Sequence, residues 1–384
     1  MKFIHTADWH LGKIVHQKSM IEDQAHVLKQ LVDYLKENKI EVLVIAGDVY
    51  DRSIPSTDAV NLLNKFLDEV INGLKVKVLM ISGNHDSADR LNFASPLLER
   101  NGLYIESLTE ATIKKITLND EFGPINFYMN PFFKPSEIRF LFNQPDLKEF
   151  NEAMAYYLSV NPINPDERNV LVTHQFISGI AKDIESDSEL PLVIGGTAEI
   201  KAENVGAFDY VALGHLHAPQ AISDKKIRYS GSLLKYSETE SYQRKGFNVV
   251  EMGKKGELDI KEVPLVPLRD FRVVKGLFED LLNTPKGNQD DYIVFRLEDD
   301  SVAIDGMDRL RRVYPNVMKI QYTKDAKTSF DTTTKARSMD LMKNELAMFT
   351  DFFRDMTKEE LTPEQIDLMT DVIKAARRRF YEAD

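Results

Sequence analysis

The chain has 384 residues, 43% hydrophobic and 29% charged, which is enough for about two or three folded domains with a sizeable core. It has no cysteine, so disulfides and thiolate metal sites are excluded. Polar Asp8 and His10 lie near the start, and no apolar run reaches roughly 18 residues, which predicts a cytoplasmic protein without a membrane span. Acidic residues outnumber basic ones by 61 to 49, and this net charge of -12 opposes strong binding of a nucleic-acid backbone by the isolated chain.

Short β-branched apolar runs alternate with amphipathic helical patterns in the first part of the chain. Four runs are short enough to be buried strands, at 42–46, 76–81, 170–173 and 210–213, and residues 3–4 are expected to begin a fifth. Residues 25–35 and 60–70 carry apolar side chains at spacings of three and four, which predicts helices. This alternation predicts parallel strands in a layered α/β fold, and ligands of such sheets bind beyond the carboxyl ends of the strands.

The pattern changes after about residue 264. Pro264 and Pro267 interrupt it, and β-rich stretches at 291–298 and 317–322 surround one helical segment. We interpret this part as a second, smaller α+β domain. The polar residues 323–337, rich in Lys, Thr, Ser and Asp, are typical of a linker.

Two amphipathic helices are expected at the end of the chain. The second opens with Thr362-Pro363-Glu364-Gln365, a capping-box pattern with proline at the first helical position. The first carries Met and Phe on its apolar stripe, and either packing within the chain or docking onto another protein would bury it. We therefore divide the chain into a large domain at 1–265, a smaller domain at 266–325, a linker at 326–337 and a helical hairpin at 338–384.

Metal-ligand side chains cluster where the predicted strands end. The five segments concerned are Asp8-Trp9-His10, Gly47-Asp48-Val49-Tyr50-Asp51, Gly83-Asn84-His85-Asp86, Thr173-His174 and Gly214-His215-Leu216-His217. Five of the eight histidines of the chain fall within them. Each motif alone is common, but the ordered set offers the imidazole and carboxylate ligands that suit manganese, iron or zinc. A carboxylate able to bridge two ions is what a two-metal phosphoesterase needs.

The ordered motifs resemble those of the calcineurin-like metallophosphoesterase family: D-x-H, G-D-x-x-D, G-N-H-[DE], a lone H and G-H-x-H. All five are present. The opening HTADWHLG at 5–12 and the later GSLLKYS at 231–237 are similar to a narrower group, the DNA double-strand-break repair nucleases of the bacterial SbcD family. The resemblance implies a layered metallophosphoesterase sandwich with a smaller α+β capping domain and a C-terminal helical hairpin.

The resemblance also implies two divalent metal ions per active site, usually Mn2+. Asp8, His10, Asp48 and His217 would hold one ion, and Asp48, Asn84, His174 and His215 the other. Asp48 would therefore be the bridge. His85 would not be a ligand; it would donate a proton or stabilise charge near the leaving oxygen. Asp51 and Asp86 are expected to orient a ligand or to cap the following helix rather than to take part in catalysis.

The function that the resemblance implies is metal-dependent hydrolysis of DNA phosphodiester bonds. The enzyme would act as a double-strand exonuclease and as a single-strand or hairpin endonuclease in an ATP-driven repair and recombination complex. The expected partners are a second copy of the chain and the coiled-coil ATPase SbcC, whose coiled-coil base would bind residues 338–384. The sequence has no G-x-x-x-x-G-K-[ST] loop, so ATP hydrolysis is assigned to the partner.

Two other interpretations remain open at this point. A phosphatase or cyclic-nucleotide phosphodiesterase of the same fold would use identical ligands, although protein phosphatases normally carry Arg-Gly where this chain has Arg52-Ser53. A scaffold that has lost catalysis is disfavoured because every proposed ligand is intact. The small basic clusters at 225–228, 254–255, 309–312 and 377–379 are expected to be solvated surface, and Trp9 is expected to pack in the core.

Overall fold

The structure is a computed structural model, and it describes residues 1–179, 186, 198–323, 349–350, 353–354, 360–366, 368–370 and 372. The predicted linker at 326–337 and most of the predicted hairpin at 338–384 lie outside these residues. By its contacts the chain divides into two units. The first contains Met1–Lys275, Glu279–Arg296 and Met307–Gln321, and the second contains Gly276–Phe278, Leu297–Gly306 and Tyr322–Asp384. Among the described helices, none combines the length and the apolar character that a membrane crossing requires.

The elements of the described residues alternate between strands and helices over most of the chain. The strands are β1 (Lys2–Thr6), β2 (Ile14–Val15), β3 (Lys18–Ser19), β4 (Val42–Ala46), β5 (Lys77–Ile81), β6 (Leu103–Glu106), β7 (Lys114–Asp120), β8 (Gly123–Asn130), β9 (Arg168–His174), β10 (Ile177–Ser178), β11 (Ile200–Lys201), β12 (Tyr210–Gly214), β13 (Gln220–Ile222), β14 (Asp224–Tyr229), β15 (Gly246–Met252), β16 (Leu258–Pro264), β17 (Phe271–Gly276), β18 (Tyr292–Leu297) and β19 (Val317–Tyr322). The α-helices are α1 (Ile21–Glu37), α2 (Thr57–Leu67), α3 (Ala88–Leu91), α4 (Ser95–Glu99), α5 (Pro135–Phe142), α6 (Phe150–Val160), α7 (Phe278–Asn283) and α8 (Gly306–Val313). A π-helical turn at Asp68–Gly73 continues α2, and 3-10 turns lie at Ala202–Val205 and Glu238–Glu240.

Two six-stranded sheets form the body of the large domain. The first has the order β16-β15-β1-β4-β5-β6, and the second the order β13-β14-β12-β9-β8-β7. Strands β1, β4, β5 and β6 are parallel to one another, as are β14, β12, β9 and β8. The antiparallel strands lie at the edges of these parallel blocks. All carboxyl ends within one parallel block therefore lie at the same edge of the sheet.

The inner faces of the two sheets pack against each other through a shared apolar core. Phe3 of β1 contacts Phe127 of β8 edge-on, with ring centroids 5.3 Å apart, and Tyr210 of β12 lies 5.8 Å from Phe3. On the outer face of the first sheet, α1 and α2 contribute to a second core cluster. On the outer face of the second sheet, α5 and α6 contribute to a third. The result is a four-layer α/β/β/α sandwich, and the layered α/β prediction is confirmed.

The five predicted strands are all present, and each matches an observed strand within two residues at either end. Strand β4 has the predicted bounds, because a fully buried strand reads as an uninterrupted apolar run. The sequence pattern did not indicate strands such as β7, whose buried residues alternate with exposed ones. It also did not show that the parallel strands belong to two sheets, because strand order depends on contacts between distant residues.

Strands β17, β18 and β19 form a separate three-stranded sheet. The predicted strand 317–322 matches β19 residue for residue, and the predicted strand 291–298 contains β18. Tyr292 of β18 donates a hydrogen bond to Asp23 of α1 at 2.7 Å, and Arg269 forms an ion pair with the same carboxylate at 2.9 Å. This buried carboxylate therefore joins the start of β18 to α1.

The capping box predicted at the end of the chain is also confirmed. The backbone N–H of Thr362 donates to Gln365 Oε1 at 2.9 Å, and the backbone N–H of Gln365 donates to Thr362 Oγ1 at 3.3 Å. These reciprocal bonds satisfy two of the unpaired N–H groups at a helix start.

The contact between the sheets yields a prediction for stability. Phe127→Ala removes a fully buried ring from between the sheets and should lower the free energy of unfolding by about 3–5 kcal/mol. The same substitution at Phe140, which is 88% exposed, should change it by less than about 0.5 kcal/mol. Urea titration followed by circular dichroism measures both variants, and equal effects would contradict the assignment of the core.

Candidate metal centre

The ligand-bearing segments extend from the carboxyl ends of parallel strands in both sheets. In the first sheet, β1 leads to Asp8 and His10, β4 to Asp48, and β5 to Asn84 and His85. In the second, β9 ends at His174, and β12 is followed by His215 and His217. The structure therefore brings all eight predicted site residues to one end of the sandwich. Six of them are buried, and Asn84 and His85 are half-buried.

The backbone is strained at four of the proposed ligands. Asp8, His10, Asp48 and His215 have φ angles of 53°, 46°, 49° and 107°, a region that side chains other than glycine rarely adopt. The turns are held by backbone hydrogen bonds between the two loops, from Asp8 N to the Gly47 carbonyl at 3.1 Å and from His10 N to the Asp48 carbonyl at 3.0 Å. The surrounding fold therefore fixes these loops in conformations that they would not adopt alone.

Two glycines allow the loops to approach one another closely. A Cβ atom at Gly83 would overlap with the backbone and carboxylate of Asp48, and one at Gly214 would overlap with the Ala46 carbonyl and the His174 ring. Glycine is required at both positions because backbone, and not only a flexible side chain, occupies the space.

Asp48 lies at the centre of the cluster. Its Oδ2 atom is 3.4 Å from His174 Nε2, 3.6 Å from His10 Nε2 and 3.9 Å from His85 Nε2. Its Oδ1 atom accepts a hydrogen bond from the backbone N–H of His85 at 2.8 Å. This carboxylate is thus in contact with both proposed ligand sets, as a bridging ligand must be.

The remaining ligands form two groups on either side of Asp48. In one group, His10 Nε2 lies 3.0 Å from His217 Nε2, and Asp8 can share a cation with both rings. In the other, Asn84 Oδ1 lies 3.0 Å from His174 Nε2 and 3.2 Å from His215 Nδ1. These groups correspond to the two ligand sets that the sequence motifs imply.

Burial controls the charge of most imidazoles in the cluster. It lowers the pKa of His10 and the pKa of His215 to about 3, so both rings are neutral, the form in which imidazole binds a metal. Burial acts on His174 in the same direction, but the charge of Asp48 outweighs it and raises the pKa of His174 to about 9. The pKa of Asp48 would rise on burial, yet the positive charge of His174 holds it well below its usual range.

The contacts of His85 decide which of its ring nitrogens faces the cluster. Its Nδ1 atom lies 2.9 Å from the carbonyl oxygen of Asp51, which can only accept, so Nδ1 donates and Nε2 faces the cluster. This leaves one imidazole nitrogen available for proton exchange with a bound molecule.

Asp86 and Asp51 have the supporting contacts expected of residues that orient a site. Asp86 accepts hydrogen bonds from the backbone N–H groups of Val49, Tyr50 and Gly83, at 2.9 to 3.1 Å. Burial and the charge of Asp48 raise the pKa of Asp86 to about 7. Asp51 accepts from Lys13 Nζ at 2.8 Å and lies 3.5 Å from His10 Nδ1.

The donor set fits divalent cations. Two imidazole nitrogens 3.0 Å apart, with carboxylate oxygens of Asp8 and Asp48 beside them, are a typical arrangement for oxygen- and nitrogen-preferring metals. No thiolate is available, so a metal with a preference for sulfur is disfavoured. The two carboxylates are both buried, and a cation between them would compensate the cost of burying their charge.

Several buried polar residues around the site were not singled out from the sequence. Gln24 Nε2 donates to the carbonyl oxygens of Trp9 and His10, at 3.2 and 2.8 Å, and Tyr236 Oη donates to the Trp9 carbonyl at 2.6 Å. Glu240 Oε1 lies 3.2 Å from His217 Nδ1, and Lys245 forms an ion pair with Glu240. Only Tyr236 falls in a motif that the sequence indicated, and the others lie in segments without a recognisable pattern.

Two further expectations can be compared with the structure. Trp9 is fully buried, contacts Phe66 edge-on at 5.0 Å and donates to Thr6 Oγ1, so its predicted packing role is confirmed.

The basic clusters carry ion pairs from Arg228 to Glu262, Lys255 to Asp209 and Arg309 to Glu279. The side chains of Lys255 and Arg309 are exposed, in agreement with a solvated surface, whereas the Arg228 side chain is only 12% exposed and departs from that expectation. Residues 377–379 lie outside the described part of the chain.

Comparisons with known proteins place the chain among related sequences. Residues 1–219 match the calcineurin-like phosphoesterase family, and residues 267–357 match SbcD_C, described as the type 5 capsule protein repressor C-terminal domain. The SbcD subunit of the nuclease SbcCD from Staphylococcus epidermidis is 35% identical over 372 residues, which cover 96% of each chain.

Two solved structures are also similar to this one. GAP50, the anchor in the inner membrane complex of Plasmodium, has a TM-score of 0.40 and 15% identity over 69% of this chain and 84% of its own. A dimetal phosphatase from Danio rerio has a TM-score of 0.38 and 12% identity over 70% of this chain and 98% of its own. The family assignment depends instead on the sequence matches. On those matches, the chain belongs to the calcineurin-like phosphoesterase family and, within it, to the SbcD family of nuclease subunits.

Proposed function

We propose that this chain is the nuclease subunit of an SbcCD complex and that it hydrolyses DNA phosphodiester bonds at the cluster around Asp48. One observation carries the proposal: all seven candidate ligands and His85 converge at one end of the sandwich, in a chain 35% identical to a nuclease subunit over almost its whole length. The activity includes exonuclease action on duplex DNA and endonuclease action on single strands or hairpins.

We assign two metal ions to the cluster. Asp8, His10, Asp48 and His217 would hold one ion, and Asp48, Asn84, His174 and His215 would hold the other. Mn2+ suits this mixed oxygen and nitrogen donor set. When bound, two such ions make water nucleophilic near neutral pH and neutralise the charge that develops on the phosphoryl group.

The side chains of the chain orient the reaction around these ions. Asp48, ionised and fixed by the His85 N–H, holds the two ligand sets in one geometry. His85 keeps Nδ1 on the Asp51 carbonyl, so Nε2 is the atom that can donate a proton to the leaving oxygen or stabilise its charge. Asp86 fixes the loops that carry Asp48 and Asn84 through three backbone N–H groups.

The partner assignment concerns the end of the chain. We assign residues 338–384 to docking onto the coiled-coil base of the ATPase SbcC, and we expect the chain itself to form a homodimer in the cytoplasm, associated with the nucleoid. Within this segment, Phe349 and Phe353 are one helical turn apart, with ring centroids 6.3 Å from each other. Adjacent aromatic rings on one helix face are typical anchors for a partner helix.

The bridging role of Asp48 can be tested by metal content. Asp48→Asn should reduce bound Mn2+ from about two ions per chain to well under one, because both sites lose an ionised ligand. His85→Ala should retain both ions. Plasma emission analysis after gel filtration measures the content, with Asp33→Asn, on the exposed face of α1, as the matched control. Wild-type metal content in Asp48→Asn would contradict the assignment.

The nuclease activity can be tested on a labelled linear duplex with Mn2+ added. The full chain, assayed alone and with SbcC and ATP, should release nucleotides, and EDTA should stop the release. His85→Ala should lower the rate by about 100- to 10,000-fold, since it removes the proposed proton donor. His26→Ala, a histidine of α1 outside the site, serves as the control. Turnover of a small phosphodiester with no cleavage of DNA under any of these conditions would instead support a small-molecule phosphoesterase.

The docking segment can be tested by co-purification. The double substitution Phe349→Glu and Phe353→Glu should abolish capture of the full chain by immobilised SbcC, because it places charges on the apolar stripe. Mn2+-dependent cleavage by the free chain should persist. The control is Phe140→Glu, which changes an exposed phenylalanine of α5 in the same way. Capture of the double variant at the wild-type level would place the docking site elsewhere.

A further inference from the structure

We call the proposed site of Asp8, His10, Asp48 and His217 the first ion site, and that of Asp48, Asn84, His174 and His215 the second. The group beside Nδ1 differs between His174 of the second site and the two imidazoles of the first. His174 of the second site has its Nδ1 atom 2.8 Å from the neutral carbonyl of Ala46. Both imidazoles of the first site face carboxylates instead. His217 Nδ1 lies 3.2 Å from Glu240 Oε1, and His10 Nδ1 lies 3.5 Å from Asp51 Oδ1.

Each of these carboxylates is paired with a lysine. Glu240 is fully buried, and its Oε2 atom lies 2.5 Å from Lys245 Nζ. The same ammonium group donates to the His217 carbonyl and to Ser232 Oγ, both at 2.8 Å. Lys245 therefore holds the backbone of His217 as well as the carboxylate behind its ring.

The pair behind His10 is built in a similar way. Lys13 Nζ lies 2.8 Å from Asp51 Oδ1, and both side chains are largely buried. Lys13 also lies over the ring of Tyr236, 5.5 Å from its centroid. Tyr236 in turn packs edge-on against His10 at 5.8 Å and His217 at 6.1 Å.

A carboxylate that accepts a hydrogen bond from Nδ1–H has two effects on a ligating histidine. It fixes the tautomer whose Nε2 lone pair faces the metal, and it makes that nitrogen a stronger donor. A neutral carbonyl also fixes the tautomer, but it strengthens Nε2 as a donor less than a carboxylate does. A buried carboxylate and lysine pair is a weak source of fold stability, because removing both charges from water costs about as much as their attraction returns. Stability alone therefore does not explain two such pairs behind one ion site.

We propose that Glu240 with Lys245, and Asp51 with Lys13, are positioning residues for His217 and His10, and that they make the first ion site the tighter of the two. The proposal rests on the two-ion centre proposed above but not on the identity of the substrate. Glu240 is the stronger case because it lies within hydrogen-bond distance of its imidazole, at 3.2 Å, whereas Asp51 makes a longer contact of 3.5 Å with His10 Nδ1.

The test is calorimetric titration of the metal-free full chain with Mn2+ alone. The wild type should bind two ions with resolved affinities. Glu240→Gln should weaken the tighter event by about 10- to 100-fold and leave the weaker one within about threefold. The amide has nearly the same shape but no charge, so a residue that only fills space would leave both events unchanged. Asp51→Asn should weaken the same event.

The controls separate positioning from damage to the fold. Glu238→Gln removes the same charge two residues away, where the carboxylate pairs with Arg296, and should titrate like the wild type. If Glu240→Gln alone does not fold, the double variant with Lys245→Met leaves no stranded charge and carries the test. Circular dichroism of each metal-free variant confirms folding.

The possible outcomes are distinct. Loss confined to the tighter event supports the proposal, whereas unchanged titration or equal loss at both sites overturns it. A wild-type chain that binds no Mn2+ would instead refute the two-ion centre itself and this proposal with it. The titration contains no DNA. It therefore tests the positioning residues even if the chain binds Mn2+ but fails to cleave DNA in the nuclease assay.

Discussion

The burial of two carboxylates in one cluster of histidines is the constraint on which the rest of the site depends. Asp8 and Asp48 are both inaccessible to solvent, and each lies within 4.0 Å of the His174 ring. Ionised carboxylates are stable at such a position only beside positive charge, because water no longer solvates them. The positive charge of His174 lowers the pKa of Asp48, and the negative charge of Asp48 raises the pKa of His174, so each charge stabilises the other. Divalent cations would meet the same requirement more fully, so the electrostatics that make the cluster costly to bury also make it compatible with divalent metals.

The backbone that presents these groups depends on the sandwich. Asp8, His10, Asp48 and His215 occupy left-handed conformations that cost of order 1–3 kcal/mol each when isolated. The packing of the two sheets supplies the compensation, because it fixes both ends of every loop. Gln24 stabilises the loop directly, because its Nε2 atom donates to the carbonyl oxygens of Trp9 and His10. Four of the proposed ligands are therefore strained, while the strands that lead to them are regular.

The sequence was informative where local pattern and function coincide. Buried parallel strands such as β4 are continuous apolar runs, and the proposed ligands directly follow their carboxyl ends, so the strands and the candidate site residues could be predicted together. The division of the strands into two sheets could not be predicted, because strand order depends on contacts between distant residues. Strand β7 and the antiparallel edge strands also have weaker sequence patterns. Glu240 and Lys245 were missed for a related reason. A charged residue in a polar loop is ordinarily solvated, and only the three-dimensional structure shows that these two are buried behind His217.

The first turn of α1 connects the site with the three-stranded sheet through two adjacent residues. Asp23 accepts from Tyr292 of β18 and pairs with Arg269, whereas Gln24 holds the loop that carries His10. Both side chains are fully buried, so neither can be replaced by water without loss of a hydrogen bond. The packing of β18 and the orientation of a proposed metal ligand are thus supported by consecutive positions of one helix.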